Sequence, residues 1–308
     1  MTVYTSIKEI IGNTPLLQIT QFSLPKDVRL YAKLEFLNPG GSVKDRLGIS
    51  LIEDAIKKGK LQPGATIIEP TAGNTGIGLA LAALNNDITL VLCVPEHFSE
   101  EKQFLMKALG ATIVSTPKEE GIQGAVRRTE QLLQEIPNSF SPQQFNNRAN
   151  PTTYYDTLAP EIWTDLDGKV DVFVAGAGSA GTYMGVMNYF KEKNPHVYGV
   201  IVEPAGSIIG GGDPGAHRTE GIGMEFFPPF MDRSLIDQVF TVPDDNAFEM
   251  VKALAEKEGL LVGSSSGAAM YAALEVAQKA TSGTNIVTIF PDGSDRYLSK
   301  GIYSTSRC

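Results

Sequence analysis

Cysteine is nearly absent from the chain. Cys93 and Cys308 are the two present, and Cys308 is the last residue. Two thiols so far apart make neither a disulfide framework nor a zinc site. Histidine is equally sparse, and His97, His196 and His217 show no i, i+4 pairing, so no metal centre is expected. Positive charge is in deficit: 26 Lys and Arg stand against 35 Asp and Glu, a net charge of −9. Such a surface repels phosphate backbones and argues against a nucleic-acid partner. No apolar run approaches the ~20 residues that span a bilayer. The start, Met1-Thr2-Val3-Tyr4, has neither the basic region nor the apolar core of a secretion signal. The expectation is a soluble, cytoplasmic protein with no membrane segment.

What is plentiful is glycine, with 31 residues, many of them following apolar runs. The runs Ala65–Glu69, Ile88–Val94 and Ala111–Ser115 read as buried strands. Gly76–Leu84, Glu100–Leu109 and Gly121–Ile136 read as helices around them. A second series follows, with strands at Val170–Ala175, Val197–Glu203, Gln238–Val242 and Asn285–Phe290. Its helices are expected at Thr182–Lys193, Asn246–Glu258 and Ser266–Ala277. Such alternation predicts an α/β protein of two doubly wound domains, each with a parallel sheet covered on both faces. A length of 308 residues suits two domains. The Pro-, Asn-, Ser- and Gln-rich stretch Pro137–Asn150 is the expected boundary, dividing residues 1–147 from 148–308.

Ligands of parallel α/β sheets bind at the carboxyl ends of strands, and four glycine-containing segments are expected at helix starts there. Asn38-Pro39-Gly40-Gly41-Ser42-Val43-Lys44-Asp45-Arg46 opens a helix, with Ser42 as N-cap. Lys44 then lies in the first turn, where the helix dipole disfavours a cation, as Schiff-base chemistry would exploit. A solvated surface lysine is the alternative. Glu69-Pro70-Thr71-Ala72-Gly73-Asn74-Thr75-Gly76 offers hydroxyls and helix N–H groups to a carboxylate or phosphate, or is a capped turn. Gly176-Ala177-Gly178-Ser179-Ala180-Gly181-Thr182 matches G-x-G-x-x-G, with Glu203 placed as a dinucleotide fingerprint places its acid. A nicotinamide cofactor and a smaller phosphorylated one are both open on this evidence. Gly263-Ser264-Ser265-Ser266-Gly267-Ala268-Ala269 is a small-residue helix start.

Taken together, in this order and spacing, these segments resemble the cysteine synthase/cystathionine β-synthase family of pyridoxal-phosphate enzymes. Ile11-Gly12-Asn13-Thr14-Pro15-Leu16 near the start and Phe290-Pro291-Asp292 with Arg296-Tyr297-Leu298-Ser299 near the end fit as well. The resemblance covers nearly the whole chain. It implies the tryptophan-synthase-β-like fold (fold type II), with pyridoxal 5'-phosphate in the cleft between two α/β domains. It also implies that the early strands, about residues 15–33, pack on the C-terminal domain. On this resemblance Lys44 matches the lysine that bonds to the cofactor, and Asn74 the residue at its ring hydroxyl. Gly178, Ser179, Ala180, Gly181 and Thr182 match the phosphate loop, and Ser265 the serine facing the pyridine nitrogen. Thr71, Ala72, Gly73, Thr75 and Gln144 match the grip on the substrate's α-carboxylate, with Gly221 beside the amine. The implied reaction is β-replacement on O-acetyl-L-serine by a thiol, giving L-cysteine from sulfide. The alternative is cystathionine formation from homocysteine, with O-acetylserine or serine as donor. Homodimers are usual among relatives, and serine acetyltransferase is a partner of some.

The departures from the family pattern are local. Ala72 stands where cysteine synthases usually have serine, which removes a hydroxyl donor. Ala180 replaces a glycine of the phosphate loop and Ser179 a threonine. Glu220 stands where cystathionine synthases carry glutamate and many cysteine synthases glutamine; a glutamate can hold the amino group of homocysteine or deprotonate its thiol, and a solvated loop carboxylate is the alternative. Ala72 with Glu220 is similar to a bacterial subgroup that makes cystathionine from O-acetylserine.

Overall fold

The computed structural model describes residues 3–71, 73–96 and 98–304. Ala72, His97 and Cys308 lie outside the described residues. The chain divides into two compact units, one of Met1–Ile11 with Asn38–Asn150 and one of Gly12–Leu37 with Pro151–Cys308. No helix among the described residues is long and apolar enough to cross a membrane.

Two strands early in the chain, β1 (Leu16–Ile19) and β2 (Arg29–Leu34), pair antiparallel and belong to the second unit. The first unit is built from α1 (Lys44–Lys57), β3 (Thr66–Pro70), α2 (Asn74–Ala83), β4 (Thr89–Pro95), α3 (Glu100–Ala108), β5 (Thr112–Thr116), α4 (Gly121–Glu135) and β6 (Ser139–Phe140). Its sheet runs β5-β4-β3-β6, parallel throughout. The division between the units falls within α5 (Ala149–Asp156). The second unit continues with α6 (Leu158–Asp165), β7 (Val172–Gly176), α7 (Gly181–Lys193), β8 (Tyr198–Pro204), β9 (Gln238–Val242), α8 (Asp244–Glu258), α9 (Ser264–Gln278) and β10 (Asn285–Phe290). Its sheet runs β1-β2-β10-β7-β8-β9 and is parallel except at β1.

The expected strands and helices are present, with ends moved by a few residues. β6, α5 and α6 are additions to the sequence reading. β6 is two residues long, too short to carry a pattern, and α5 places Pro151 and two threonines in a short helix of weak propensity. Packing compensates, because Tyr154, Leu158, Ala159 and Ile162 are fully buried.

The central strands are buried over almost their whole length, as the double covering of a parallel sheet requires. In the first unit, Ile68, Val91 and Cys93 of the sheet pack on Ala125 and Leu132 of α4. Burial pushes the Cys93 thiol above its ordinary range, which makes it a core residue and not a nucleophile. α2 is buried on nearly every face from Thr75 to Ala82. It has this freedom because α1 meets it backbone to backbone. An ideal Cβ on Gly48 would fall 2.1 Å from the Gly78 carbonyl oxygen, and one on Gly78 would fall 2.3 Å from the Lys44 carbonyl oxygen. Neither contact can be relieved by a side-chain rotation.

Gly48→Ala is therefore expected to separate α1 from α2 and to lower stability by about 1–3 kcal/mol, read as a lower urea midpoint at unchanged slope. An unchanged midpoint would show that the helix crossing is not tight.

Candidate active site

In the first unit the site begins at the N-terminus of α1. Ser42 was expected as the N-cap, and it supplies the capping hydroxyl: α1 runs from Lys44, and Val43 ahead of it already has helical φ and ψ. The Ser42 Oγ accepts the Lys44 N–H at 3.2 Å and its carbonyl accepts the Asp45 N–H at 3.2 Å. Asp45 is fully buried and accepts the Gly40 N–H at 2.6 Å, which holds the Pro39-Gly40-Gly41 turn in place. Lys44 is half-buried at the start of this helix. Its carbonyl lies against Gly78, one turn along α2 from Asn74.

The turn between β3 and α2 closes on itself, with the Gly73 N–H donating to Thr71 Oγ1 at 3.2 Å. Lys102 of α3 is buried beside it, and its Nζ would stand 3.2 Å from a Cβ on Gly73. Thr75 and Gln144 are both buried, and Thr75 Oγ1 donates to Gln144 Oε1 at 2.7 Å. The structure thus joins the turn that holds Thr71, Gly73 and Thr75 to Gln144, a residue far away in sequence. Ala72, the remaining expected member, lies outside the described residues.

Glu69 is a member that the sequence reading passed over. It is fully buried and accepts three hydrogen bonds: Ser141 Oγ at 2.8 Å, the Gln143 N–H at 2.9 Å and the Gln144 N–H at 2.9 Å. Burial pushes its carboxyl above the ordinary range, and the three donors pull it part of the way back. An acid that ends an apolar strand was the available signal.

In the second unit the Gly176–Thr182 loop ends at the N-terminus of α7, a helix of 13 residues. Ser179 and Thr182 are buried there. Ala180 takes the left-handed conformation, with φ of 60°, the strain expected of an alanine in place of glycine. Gly178 is required sterically, since a Cβ on it would fall 2.4 Å from the Gly221 carbonyl oxygen. The Gly223 N–H donates to the Ala177 carbonyl at 2.9 Å, which binds the Glu220–Gly223 segment to the loop. Ser265, buried in the first turn of α9, has its Oγ 3.8 Å from the position of a Gly221 Cβ. The Glu220 N–H donates to Ser264 Oγ at 3.0 Å. The loop, Glu220, Gly221 and Ser265 therefore form one cluster.

Two further acids matter here. Tyr297 is buried and donates its hydroxyl proton to the Asp292 carboxylate. Burial pushes the Tyr297 phenol far up, and the charges of Asp292 and Glu220 add to that. Glu203 does not serve as the acid of a dinucleotide site. Its carboxylate accepts the Ile209 N–H at 2.8 Å, the Gly210 N–H at 3.0 Å and the Thr241 hydroxyl at 2.9 Å, all within the protein.

The donors present suit a phosphorylated carbonyl cofactor. Within the second unit, buried hydroxyls and helix N–H groups suit a phosphate ester and Ser265 supplies a neutral hydroxyl; the first unit, taken by itself, supplies a primary amine at Lys44. Lys33, a buried lysine of the second unit, is held by Glu161 at 3.0 Å, Asp165 at 3.3 Å and the Thr14 carbonyl at 2.6 Å, so its amine is committed to ion pairing.

Comparison with known proteins agrees with this donor set. The model of the family described as "Pyridoxal-phosphate dependent enzyme" matches residues 7–292. The chain is 62% identical over 303 residues to an O-acetylserine dependent cystathionine beta-synthase of Bacillus subtilis (strain 168), covering 98% of this chain and 99% of that protein. It is 52% identical over 305 residues to a cysteine synthase of Helicobacter pylori (strain ATCC 700392 / 26695), covering 98% and 100%. Its structure is similar to the crystal structure of an O-acetylserine dependent cystathionine beta-synthase from Helicobacter pylori, with a TM-score of 0.95 and 51% identity over 99% of this chain and 100% of that one.

Gly178→Ala is expected to abolish binding of pyridoxal phosphate in a spectroscopic titration, while Ala180→Gly, which relieves a left-handed residue, should retain it. Retained binding in Gly178→Ala would show that the loop tolerates a Cβ and has another purpose.

Proposed function

The chain belongs to the pyridoxal-phosphate dependent enzyme family, and from that premise we propose that it replaces the β-acetoxy group of O-acetyl-L-serine by a thiol, forming L-cysteine from sulfide. The observation that carries this reading is the Thr71–Thr75 turn joined to Gln144 in the unit that holds Lys44. That arrangement is a carboxylate-binding turn serving a lysine, as an amino-acid substrate requires.

Pyridoxal phosphate, when bound, supplies the electron sink for negative charge at the substrate's α-carbon. Ser179, Thr182 and the first N–H groups of α7 would hold its phosphate, and Asn74 would serve its ring hydroxyl. Thr71, Gly73, Thr75 and Gln144 bind the substrate's α-carboxylate and orient the Cα–H bond. Lys44 Nζ takes the α-proton, acetate leaves from the β-carbon, the thiol adds there, and Lys44 returns the proton. Ser265 offers the ring nitrogen a neutral hydroxyl instead of a carboxylic acid. The weaker sink that results favours elimination over processes that need a long-lived carbanion.

A second reading takes homocysteine as acceptor and forms cystathionine. It is supported by Glu220, whose backbone is held by Ser264 and whose charge reaches Tyr297. A carboxylate there suits the ammonium group of homocysteine, which sulfide lacks. The name of the Bacillus subtilis relative favours it as well. Serine in place of O-acetylserine belongs to the same reading.

The exposed apolar side chains Val3, Tyr4, Ile7 and Ile10 support a homodimer. The scarcity of cysteine is compatible with the reducing cytoplasm. Serine acetyltransferase is a partner that the family reading allows.

Glu220→Gln is expected to lower kcat/KM for homocysteine by about tenfold or more and to change that for sulfide by less than about threefold. The check is to run both thiols at saturating O-acetyl-L-serine. Equal losses with both would remove Glu220 as the reader of the acceptor.

A further inference from the structure

We infer that Glu69 is a positioning residue for the substrate-carboxylate subsite, acting through the backbone of Gln144. The inference rests on the proposed function, because it takes Gln144 as a donor to an amino-acid carboxylate.

Glu69 directs both carboxylate oxygens at a single segment of chain. Its three hydrogen bonds all come from residues 141–144, and none of these donors is an opposite charge. Oε2 takes Ser141 Oγ and the Gln143 N–H, and Oε1 takes the Gln144 N–H. Two successive N–H groups converging on one carboxylate form a backbone nest, the arrangement by which loops bind anions. Here the anion is the protein's own. The nest needs an unfavourable backbone: Gln143 has φ of 54°, in the left-handed region. The carboxylate offsets that strain.

Gln144 is then held at each of its ends. Its N–H is bound by Glu69 at 2.9 Å, its carbonyl accepts Asn150 Nδ2 at 2.8 Å, and its Oε1 accepts Thr75 Oγ1 at 2.7 Å. With the amide oxygen engaged by Thr75, the Nε2 hydrogens are the donors left to offer an anion. Glu69 thus fixes the backbone from which that amide is aimed. A neutral glutamine would replace one acceptor oxygen by an N–H2 group facing donors, so the same shape could not hold residues 141–144 as they stand. Buried carboxylates are costly to desolvate, and this one is compensated entirely by the segment that carries Gln144.

The test uses the pyridoxal-phosphate-loaded enzyme in four forms: wild type, Glu69→Gln, Gln144→Ala and the double variant. The expected result is a KM for O-acetyl-L-serine raised about tenfold in Glu69→Gln, with kcat within about threefold and the resting visible absorption unchanged. In the Gln144→Ala background the same change should add less than about twofold, because the residue it positions is gone. Equal factors in both backgrounds, or a fall in kcat at unchanged KM, would overturn the inference. Should Glu69→Gln fail to fold, Ser141→Ala removes one of the three donors. It should raise KM by about two- to fourfold in the wild-type background alone; no rise there overturns the inference. A coloured wild-type enzyme that makes no product from O-acetyl-L-serine with either thiol would remove the proposed function. An active wild type with multiplicative losses would remove this inference alone.

Discussion

The contact on which the first unit depends is the meeting of two helix backbones, α1 and α2, at Gly48 and Gly78. No side chain separates them there. Because the Lys44 carbonyl rests on Gly78, the helix that carries the lysine and the helix that opens at Asn74 are registered against each other. Registration by backbone contact is stiff, since close-packed main chain has no rotamer through which to yield. The roles proposed for Lys44 and for the Thr71–Thr75 turn, a reactive amine and a carboxylate-binding turn, would need that stiffness, for misplacement is costly in catalysis. The apolar character of α2 follows from the same contact. A helix enclosed by α1 and by the sheet has no solvent face to keep polar.

Around this core, buried acids organise the loops that carry function. Asp45 binds the Gly40 N–H ahead of Lys44, and Glu69 binds the segment that carries Gln144. Glu203 holds the chain at Ile209 and Gly210 together with Thr241. In each case a strand end or first helical turn supplies a carboxylate, and loop donors close on it. Loops lack the repetitive pairing of sheets and helices, so their backbone groups need side-chain partners when buried. Part of the acidic composition is therefore internal and serves shape. Glu203 also shows how a motif can mislead. Its spacing from Gly176–Gly181 matches the fingerprint of a dinucleotide site, yet its oxygens are engaged by the protein's own N–H and hydroxyl groups.

Much of this was legible in the order of residues. The central strands β4, β7, β8 and β10 are largely apolar runs, and such runs have few other readings. The segments around Lys44, Asn74, Gly178 and Ser265 each combine small residues with a helix start, a local signal that survives folding unchanged. The cap at Ser42 was legible, since Val43 after it has helical dihedrals and Ser42 Oγ accepts the Lys44 N–H. Other features were not legible, for identifiable reasons. Glu69 takes its partners from 72 to 75 residues further on, beyond any local pattern. α5 and α6 are stabilised by burial of Tyr154, Leu158 and Ile162, against weak helix propensity in α5. The hydrogen bond from the Glu220 N–H to Ser264 Oγ joins a loop to the start of α9, and spacing alone does not reveal it.

The central claim is that Lys44 is the lysine that holds the cofactor. The most direct measurement is to incubate the purified protein with pyridoxal phosphate, reduce it with borohydride, digest it and locate the phosphopyridoxyl group by mass spectrometry. The account predicts one labelled lysine, Lys44, in the tryptic peptide of residues 34–46. Label on Lys33 or Lys102, or spread among surface lysines with Lys44 unmodified, would contradict it.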